Sequence, residues 1–295
     1  MILPKVRTFV PELWGQVDIF QHFYSGTHTF KEDTKKAIPG IKNHFQKAIT
    51  LYQLANKLLP NLSIDEEEMQ RKGFTEAVNA QEFSAVLEEV FTELYSSIDC
   101  TRKVIVSIYQ RTRKLKDSTR KLFQDVRNNL FGDDFPADLK KIIKEAEWYF
   151  ELLAIRDELT HSDIGYCRID KDTQSVTYTH TGINREGKPL IIENVIDKIN
   201  FLIESVNIFL GAIFLFLNSK LKVTTVATPC GLFYGRCYLR MLSLEPKIDF
   251  NSGVCQSHIW FDSDPQLRCH LAESCGAYSS AKSGLDIHQQ VPPIK

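Results

Sequence analysis

The stretch EAVNAQEFSAVLEEVFTELYSSIDCTRKVIVSIYQRTRKLKDSTRKLFQDVRNNL, residues 76–130, decides the fold class, because it holds neither proline nor glycine. A single helix of that length would extend for about 80 Å, so we expect a break, for which Asp117, Ser118 and Thr119 offer N-cap side chains. The stretch predicts two helices, at about 79–116 and 119–131. One helical face is traced by apolar residues: Phe83, Val86, Leu87, Val90, Phe91, Leu94, Ile98, Val104, Ile105 and Ile108.

Helical periodicity continues on both sides of this stretch. Upstream, apolar positions recur over 32–59, and Pro60 follows as a stop signal. Downstream, helices are predicted at about 137–160 and, in a very apolar segment, at about 192–217. The alternating sequence GYCRIDKDTQSVTYTH at 165–180 predicts a small β-hairpin between these two helices. The chain is therefore predicted to be mainly α.

Three parts are predicted along the chain. The acidic segment NLSIDEEEMQRKG at 61–73 is interpreted as a linker, which places a soft boundary near residue 75. The parts are an N-terminal helical region at 1–75, a helical bundle at 76–222, and an irregular, Cys-containing region at 223–295. In the last part Gly, Pro and Cys follow no clear period, and its final residues, 276–295, are predicted to be disordered.

The composition is that of an ordinary globular protein. Hydrophobic residues make up 43% and charged residues 25%, and the formal net charge is -1, so the global charge attracts neither nucleic acid nor an anionic membrane. The N-terminal residues hold no apolar run long enough for a signal peptide. The most apolar run, VNIFLGAIFLFLN, is shorter than the roughly 20 residues of a spanning helix and predicts a buried core helix. We therefore expect a cytoplasmic protein without a membrane role.

Seven cysteines are present, an odd number, and none are spaced as C-x-x-C. Structural zinc sites normally use close pairs of ligands, so buried free thiols are the favoured interpretation, with no metal and no cofactor. A structural zinc site is the less favoured alternative. The soft ligands that could form one are Cys230, Cys237, Cys255, His258, Cys269, His270 and Cys275.

The best candidate for chemistry is the helix end RDELTH, residues 156–161, with Arg156 and His161. The guanidinium of Arg156 could clamp phosphate oxygens, and the imidazole of His161 could move protons near neutral pH. RNA carries its own nucleophile, the 2′-hydroxyl, so these two groups could cleave RNA without a metal and leave a 2′,3′-cyclic phosphate.

The spacing of this pair leaves a geometric question. Five residues along a regular helix separate two side chains by about 140° around the axis, so either the last turn unwinds or a second subunit completes the site. In the alternative interpretation, Arg156 is a solvated residue paired with a carboxylate and His161 is stabilised by the helix dipole. Such a spacing is expected about once by chance in this composition.

The sequence RDELTHS resembles the R-x4-6-H signature of the HEPN superfamily, helical domains of RNase toxins, CRISPR-associated nucleases and antiviral effectors. The resemblance covers about 80–218 and implies a HEPN-like antiparallel helical bundle with the motif near a helix end. It implies that Arg156 stabilises the phosphate, that His161 acts as acid or base, and that Asp157 orients one of them. Many members of the family are homodimers whose two motifs line one cleft. The hairpin after the motif departs from the family's plain bundle and leaves the alignment open.

A basic stretch, RKVIVSIYQRTRKLKDSTRKLFQDVR at 102–127, holds nine Lys or Arg against two Asp. At 100° per residue, its cations at 102, 113, 116, 120 and 127 fall within about 60° of one another. This predicts a ridge that follows phosphates, with a solvated face beside the core as the alternative. The candidate RNA-binding residues are Arg113, Lys116, Arg120 and Arg127.

The sequence thus predicts a metal-independent HEPN-type endoribonuclease, a toxin or antiviral effector with RNA as its partner, a homodimeric state and a neutralising or regulatory protein partner. The alternative is a non-catalytic helical RNA-binding or protein-interaction protein.

Overall fold

The structure, a computed structural model, describes residues 13–161, 164–170, 173, 175–185 and 188–284, without the side chains of 160, 161, 181–185, 188 and 262. Helices dominate this part of the chain, which confirms the mainly α prediction. The chain forms two compact units, a smaller one of Met1–Thr29 with Phe214–Lys295 and a larger one of Phe30–Ile213. The three-part division at residues 75 and 222 stays a prediction.

The elements follow in chain order. The helices are α1 (Gln16–Phe23), α2 (Glu32–Leu58), α3 (Leu62–Lys72), α4 (Val78–Ile108), α5 (Thr119–Arg127), α6 (Ala137–Glu145), α7 (Tyr149–His161), α8 (Val195–Asn218), α9 (His258–Ser263) and α10 (Gly276–Lys282). The strands are β1 (Tyr166–Ile169), β2 (Val176–Arg185), β3 (Lys188–Ile192), β4 (Thr225–Phe233), β5 (Arg236–Ser243) and β6 (Val254–Cys255). They form two antiparallel sheets, ordered β1-β2-β3 and β4-β5-β6.

Helix α4 forms the centre of the larger unit, and α2 packs along it. The apolar face predicted from the sequence is buried, including Phe83, Leu87 and Phe91. Removing such side chains from water contributes about 2 kcal/mol each. The predicted helix at 32–59 and the predicted hairpin are confirmed as α2 and as β1 with β2, and β3 extends the hairpin to a sheet.

Two predictions about 76–130 have different outcomes. The break is where the caps indicated it, because Ser118 Oγ accepts a hydrogen bond from the Lys121 N–H at the start of α5. The preceding helix, however, ends at Ile108 and not near 116. The segment after it is held by Asp134 instead, which accepts hydrogen bonds from the Thr112 hydroxyl through its carbonyl and from the Arg113 N–H through its carboxylate.

The predicted linker at 61–73 is wrong, because most of it forms α3. One acidic residue of this segment stabilises the start of α4. Buried Asp65 accepts hydrogen bonds from the Ala80 N–H (2.7 Å) and the Asn79 amide (2.6 Å), both at the start of α4. The carboxylate therefore satisfies amide groups that the first turn of a helix leaves unpaired.

The predicted helix at 137–160 is divided into α6 and α7. The backbone leaves the helical region at Ala146 (φ -84°, ψ 59°), although no proline or glycine is present there. The break accompanies burial of Tyr149, whose ring stacks 3.6 Å from that of Phe123 in α5. Tertiary packing has overridden a continuous helical pattern at this point.

Helix α8 confirms the predicted apolar helix at 192–217. It is the one helix of the described residues long and apolar enough to cross a membrane, and 39% of its most apolar window is buried inside the protein. Within the larger unit its buried side chains include Ile199, Leu202 and Val206. These residues confirm that α8 contributes to a core.

The prediction of an irregular region at 223–295 is wrong where β4, β5, β6, α9 and α10 lie. Strand β5 alternates inward and outward as a half-buried strand should. One of its inward positions is Arg240, between Tyr238 and Leu242, and this charged residue hides the apolar alternation in the sequence. Helix α10 likewise contradicts predicted disorder at 276–282, and 285–295 lie outside the described residues.

Candidate functional site

The motif RDELTH occupies the end of α7, which remains helical to His161. The helix-end prediction is therefore confirmed. The last turn of α7 does not unwind before His161. The side chain of His161 lies outside the described residues. The site can accordingly be described around Arg156 and Asp157.

The contacts of Arg156 include an aromatic ring and a carboxylate. Its guanidinium carbon lies 4.9 Å from the ring centroid of Tyr95 in α4. Its Nη1 donates to Asp157 Oδ1 at 3.2 Å. The ring restrains the guanidinium through a cation–π interaction while a third of the side chain (33%) stays exposed. Arg156 is therefore restrained but still accessible to a ligand.

Asp157 joins a second arginine to the site, because its Oδ2 accepts a hydrogen bond from Arg120 Nη2 of α5. Two guanidinium groups thus share one carboxylate, and the three charges sum to +1. The sequence predicted Arg120 as an RNA-binding residue on a ridge, without a connection to the motif. The fold places it beside Asp157, so two separate predictions meet at one position.

A surface groove of about 250 Å³ lies along α5 and α7 at this position. Arg127, another predicted RNA-binding residue, lies over the ring of Phe150 with its guanidinium carbon 5.2 Å from the centroid. The basic side chains on α5 and the carboxylates on α7 thus flank a partly apolar floor. The groove is lined by Arg120, Gln124, Phe150, Leu153, Ala154, Asp157 and Glu158.

Tyr149 forms the support under this groove. Its ring stacks on Phe123 of α5 and lies 6.2 Å from Tyr95, the ring that carries Arg156. Burial raises the pKa of Tyr149 far above its usual value, so the hydroxyl stays neutral. This stack connects α4, α5 and α7, and it fixes Arg120 and Arg156 relative to each other.

The other two predicted RNA-binding residues, Arg113 and Lys116, do not lie on the helices that line the groove. Arg113 and Lys116 lie in the non-helical segment after Ile108, and Arg102 is buried in ion pairs with Asp99 and Asp117. The single basic face predicted across 102–127 is therefore wrong, because the helix ends before most of its members. RNA binding by Arg113 and Lys116 stays a prediction.

Glu88 of α4 holds the chain that follows the motif. Its Oε1 accepts hydrogen bonds from the Gly165 N–H (2.6 Å) and the Tyr178 hydroxyl (2.7 Å). The Cys167 N–H also donates to Ser84 Oγ of α4 at 2.9 Å. The sheet after α7 is thereby tied to the same helix that carries Tyr95. Sequence analysis missed Glu88, since nothing local distinguishes it from the other acidic residues of α4.

Outside the larger unit, four cysteines gather with a buried arginine. Cys230, Cys255, Cys269, Cys275 and Arg240 line one cavity of about 20 Å³. The predicted free thiols agree with the structure, in which no cysteine is in a disulfide. Within the described ranges, no group of three or more His, Cys, Asp or Glu side chains is already spaced to hold a metal ion.

The chain matches no protein family, no curated protein and no solved structure.

Proposed function

We propose that the chain is a metal-independent endoribonuclease of the HEPN type, with its site at the end of α7. The observation that carries the proposal is the placement of Arg156, which is restrained by Tyr95 and Asp157 yet partly exposed near the end of a helix. Arg120 adds a second positive group that the motif alone does not contain. Guanidinium groups bind the phosphates of RNA through charge-assisted hydrogen bonds.

In this proposal His161 and Arg156 have separate roles at one phosphodiester. The 2′-hydroxyl loses its proton and attacks the adjacent phosphorus, the new O2′–P bond replaces the P–O5′ bond, and the leaving O5′ takes a proton. His161 moves these protons, and Arg156 stabilises the charge on the non-bridging oxygens. Asp157 orients Arg156. The products carry a 2′,3′-cyclic phosphate and a 5′-hydroxyl.

We propose that a second copy of the chain completes the site. Because α7 is helical through His161, Arg156 and His161 of one copy leave the axis about 140° apart. A twofold dimer brings Arg156 of one copy towards His161 of the other. A cytoplasmic toxin or antiviral effector of this kind, restrained by a neutralising protein, is part of the same proposal.

Cleavage without metal tests the chemistry. End-labelled RNA is incubated in EDTA with wild type, His161→Ala, Arg156→Lys and a control, Arg71→Lys, which changes an exposed arginine lining a different groove. We expect wild type and the control to leave cyclic phosphate ends. We expect the two motif variants to lose at least about 100-fold in rate, as general acid–base groups and phosphate clamps contribute that much. Equal cleavage by wild type and His161→Ala would refute the assignment.

Mixing the two inactive variants tests the composite dimer. A heterodimer of Arg156→Lys and His161→Ala chains rebuilds one intact site from Arg156 of one chain and His161 of the other. With random exchange we expect the mixture to recover about a quarter of wild-type activity, since half the dimers each hold one intact site. No recovery, although exchange is verified, would contradict a site shared between chains.

A non-catalytic RNA-binding protein is the second candidate. The observation that favours it is the full engagement of both arginines, since Arg156 and Arg120 already pair with Asp157. For this function we expect salt-sensitive RNA binding that falls in Arg120→Gln and Arg127→Gln, without any cleavage.

A further inference from the structure

We propose that Cys230, Cys255, Cys269 and Cys275 of the smaller unit bind one zinc ion beside the buried Arg240. The inference concerns a site separate from the groove on α7 and does not depend on the proposed nuclease function. It also departs from the sequence-based prediction that no metal is bound.

The first argument is convergence. Cys230 lies on β4 and Cys255 on β6, whereas Cys269 and Cys275 lie in the loops before α10. Far apart in sequence, they line the same cavity of about 20 Å³. A cavity needs roughly 10–15 Å³ to admit one water molecule, so this one suits a single ion and excludes an iron–sulfur cluster or an organic cofactor.

The second argument is the charge of Arg240. Its side chain is 1% exposed, and Nη1 donates to the carbonyl oxygens of Phe250 (2.8 Å) and Ser252 (3.0 Å). No carboxylate of the described residues pairs with it, and its buried Nε has no hydrogen-bond partner among them. An uncompensated buried cation is strongly unfavourable. Arg240 therefore requires a nearby negative charge.

The cysteine thiols within reach of Arg240 can supply that charge as thiolates. Arg240 Nη2 donates to Cys275 Sγ at 3.3 Å, and the guanidinium also interacts with the Cys230 thiol. Zinc bound by four thiolates carries a net charge of about -2. Such a centre would neutralise Arg240, and Arg240 would in turn stabilise the excess thiolate charge, as outer-shell partners do at metal sites.

The third argument is the set of ligands around the cavity. The buried cluster there consists largely of cysteine and aromatic residues, and no disulfide joins its cysteines. The nearby histidines are engaged elsewhere, His258 Nδ1 with the Cys255 carbonyl (2.7 Å) and His270 Nε2 with the Tyr234 hydroxyl (2.8 Å). The proposed ligand set is therefore thiol only.

The thiols must approach each other to bind the ion, since the present rotamers do not form a ready metal site. Each cysteine has one side-chain torsion, and rotation between staggered wells moves its sulfur across the cavity. Burial raises the pKa of Cys230 and Cys269 and raises that of Cys255 to about 12. Zinc must displace the thiol protons of its ligands to bind.

Metal content tests the proposal. The full chain is purified under reducing conditions, incubated with zinc chloride, passed through a desalting column and measured for zinc by mass spectrometry. We expect one zinc per chain in wild type and in Cys237→Ser, which changes an exposed cysteine outside the cavity, and loss of zinc in Cys255→Ser. With cobalt chloride, wild type and Cys237→Ser should show thiolate-to-cobalt absorption that Cys255→Ser lacks.

Three results would overturn the proposal: no zinc in wild type, equal zinc in the two variants, or a mass two hydrogens lower that marks a disulfide among the four cysteines. A second measurement on wild type covers the case in which Cys255→Ser does not fold. Removing zinc with a chelator should speed hydrogen exchange in β5 and α10 and leave α4 unchanged, and unchanged exchange in β5 would also overturn the proposal.

Discussion

Asp157 divides its two carboxylate oxygens between two arginines, Oδ1 to Arg156 and Oδ2 to Arg120. Two guanidinium groups therefore meet at one carboxylate. The carboxylate also sets the direction of both arginines. Its removal should therefore affect geometry more than binding.

We predict that Asp157→Asn weakens cleavage while RNA binding is kept. The free energy of unfolding should fall by only about 0.5–1 kcal/mol, because both ion pairs are partly exposed. The cleavage rate should fall by at least about 10-fold as Arg156 loses its orientation. Urea unfolding and single-turnover cleavage measure the two effects. Glu158→Gln is the matched control in the same groove, and an equal loss of rate in that variant would contradict the role of Asp157.

Gly165 is a second residue whose size matters. A Cβ at this position would lie 2.2 Å from the Tyr178 hydroxyl oxygen, which is itself bonded to Glu88. We predict that Gly165→Ala lowers the free energy of unfolding by about 1–3 kcal/mol through overpacking. Gly211→Ala in α8 is the control, since its Cβ meets nothing within 4 Å, and it should stabilise by about 0.5–1 kcal/mol. Similar thermal shifts of both variants would refute the prediction.

At the scale of elements, the junction of α4 and α5 depends on a buried charge cluster. Arg102 Nη2 donates to Asp99 at 2.9 Å, and its Nε donates to the Thr119 hydroxyl at 3.3 Å. Burial alone would raise the pKa of Asp99, but hydrogen bonds from Arg102 and Thr119 outweigh it and hold that pKa below its ordinary value of 3.8. Asp99 therefore links the two helices in its charged form.

This cluster predicts a specific sensitivity to acid. Because the pKa of Asp99 is lower in the folded than in the unfolded chain, its stabilising contribution is complete above pH 3.8 and is lost as the pH falls through the folded pKa. Between about pH 6 and about pH 3, wild type should lose more unfolding free energy than Asp99→Asn. Denaturant titrations at several pH values measure this loss. Asp133→Asn, an exposed change, should behave like wild type, and parallel curves for all three proteins would contradict the prediction.

The interiors of the helices could be predicted from sequence, and several of their ends could not. Apolar periodicity reports burial, so α2, α4 and α8 were located correctly. Neither proline nor glycine marks the end at Ile108 or the break at Ala146. Both are set by partners distant in sequence, Asp134 and Phe123. In β5, Arg240 conceals the strand, since a charged residue at an inward position interrupts the alternation.

The candidate site could be predicted only in part, because some of its residues are distant in sequence. Arg156 and Asp157 could be found because they are close in sequence and belong to a motif. Arg120, Tyr95 and Glu88 reach the site through packing between helices, and no local signal reports such pairs.

At the scale of the whole molecule, the two units have unlike cores. The larger unit is organised around α4, which is buried along most of its length, whereas the smaller unit has a core of cysteine and aromatic residues. Local stability follows the density of buried apolar contacts. We expect the two units to open with different free energies.

Hydrogen exchange measured in EDTA tests this expectation. The amides of α4 should exchange slowest, at the rate of global unfolding, and those of β4 and β5 should exchange at least about 10-fold faster through local opening. Exchange of α4 and β5 at one common rate would show a single cooperative unit and contradict the prediction.

The smaller unit is built from both sides of the larger one in sequence, with α1 before it and β4 to α10 after it. On the ribosome, α1 is translated before the larger unit, and β4 to α10 are translated after it. The larger unit has all its residues once Ile213 is made, and the stretch from Phe214 to the end of α10 takes on the order of ten seconds at about 5–20 residues per second. Arg156, Asp157 and Arg120 can thus assemble on the nascent chain while the cysteine cavity does not yet exist.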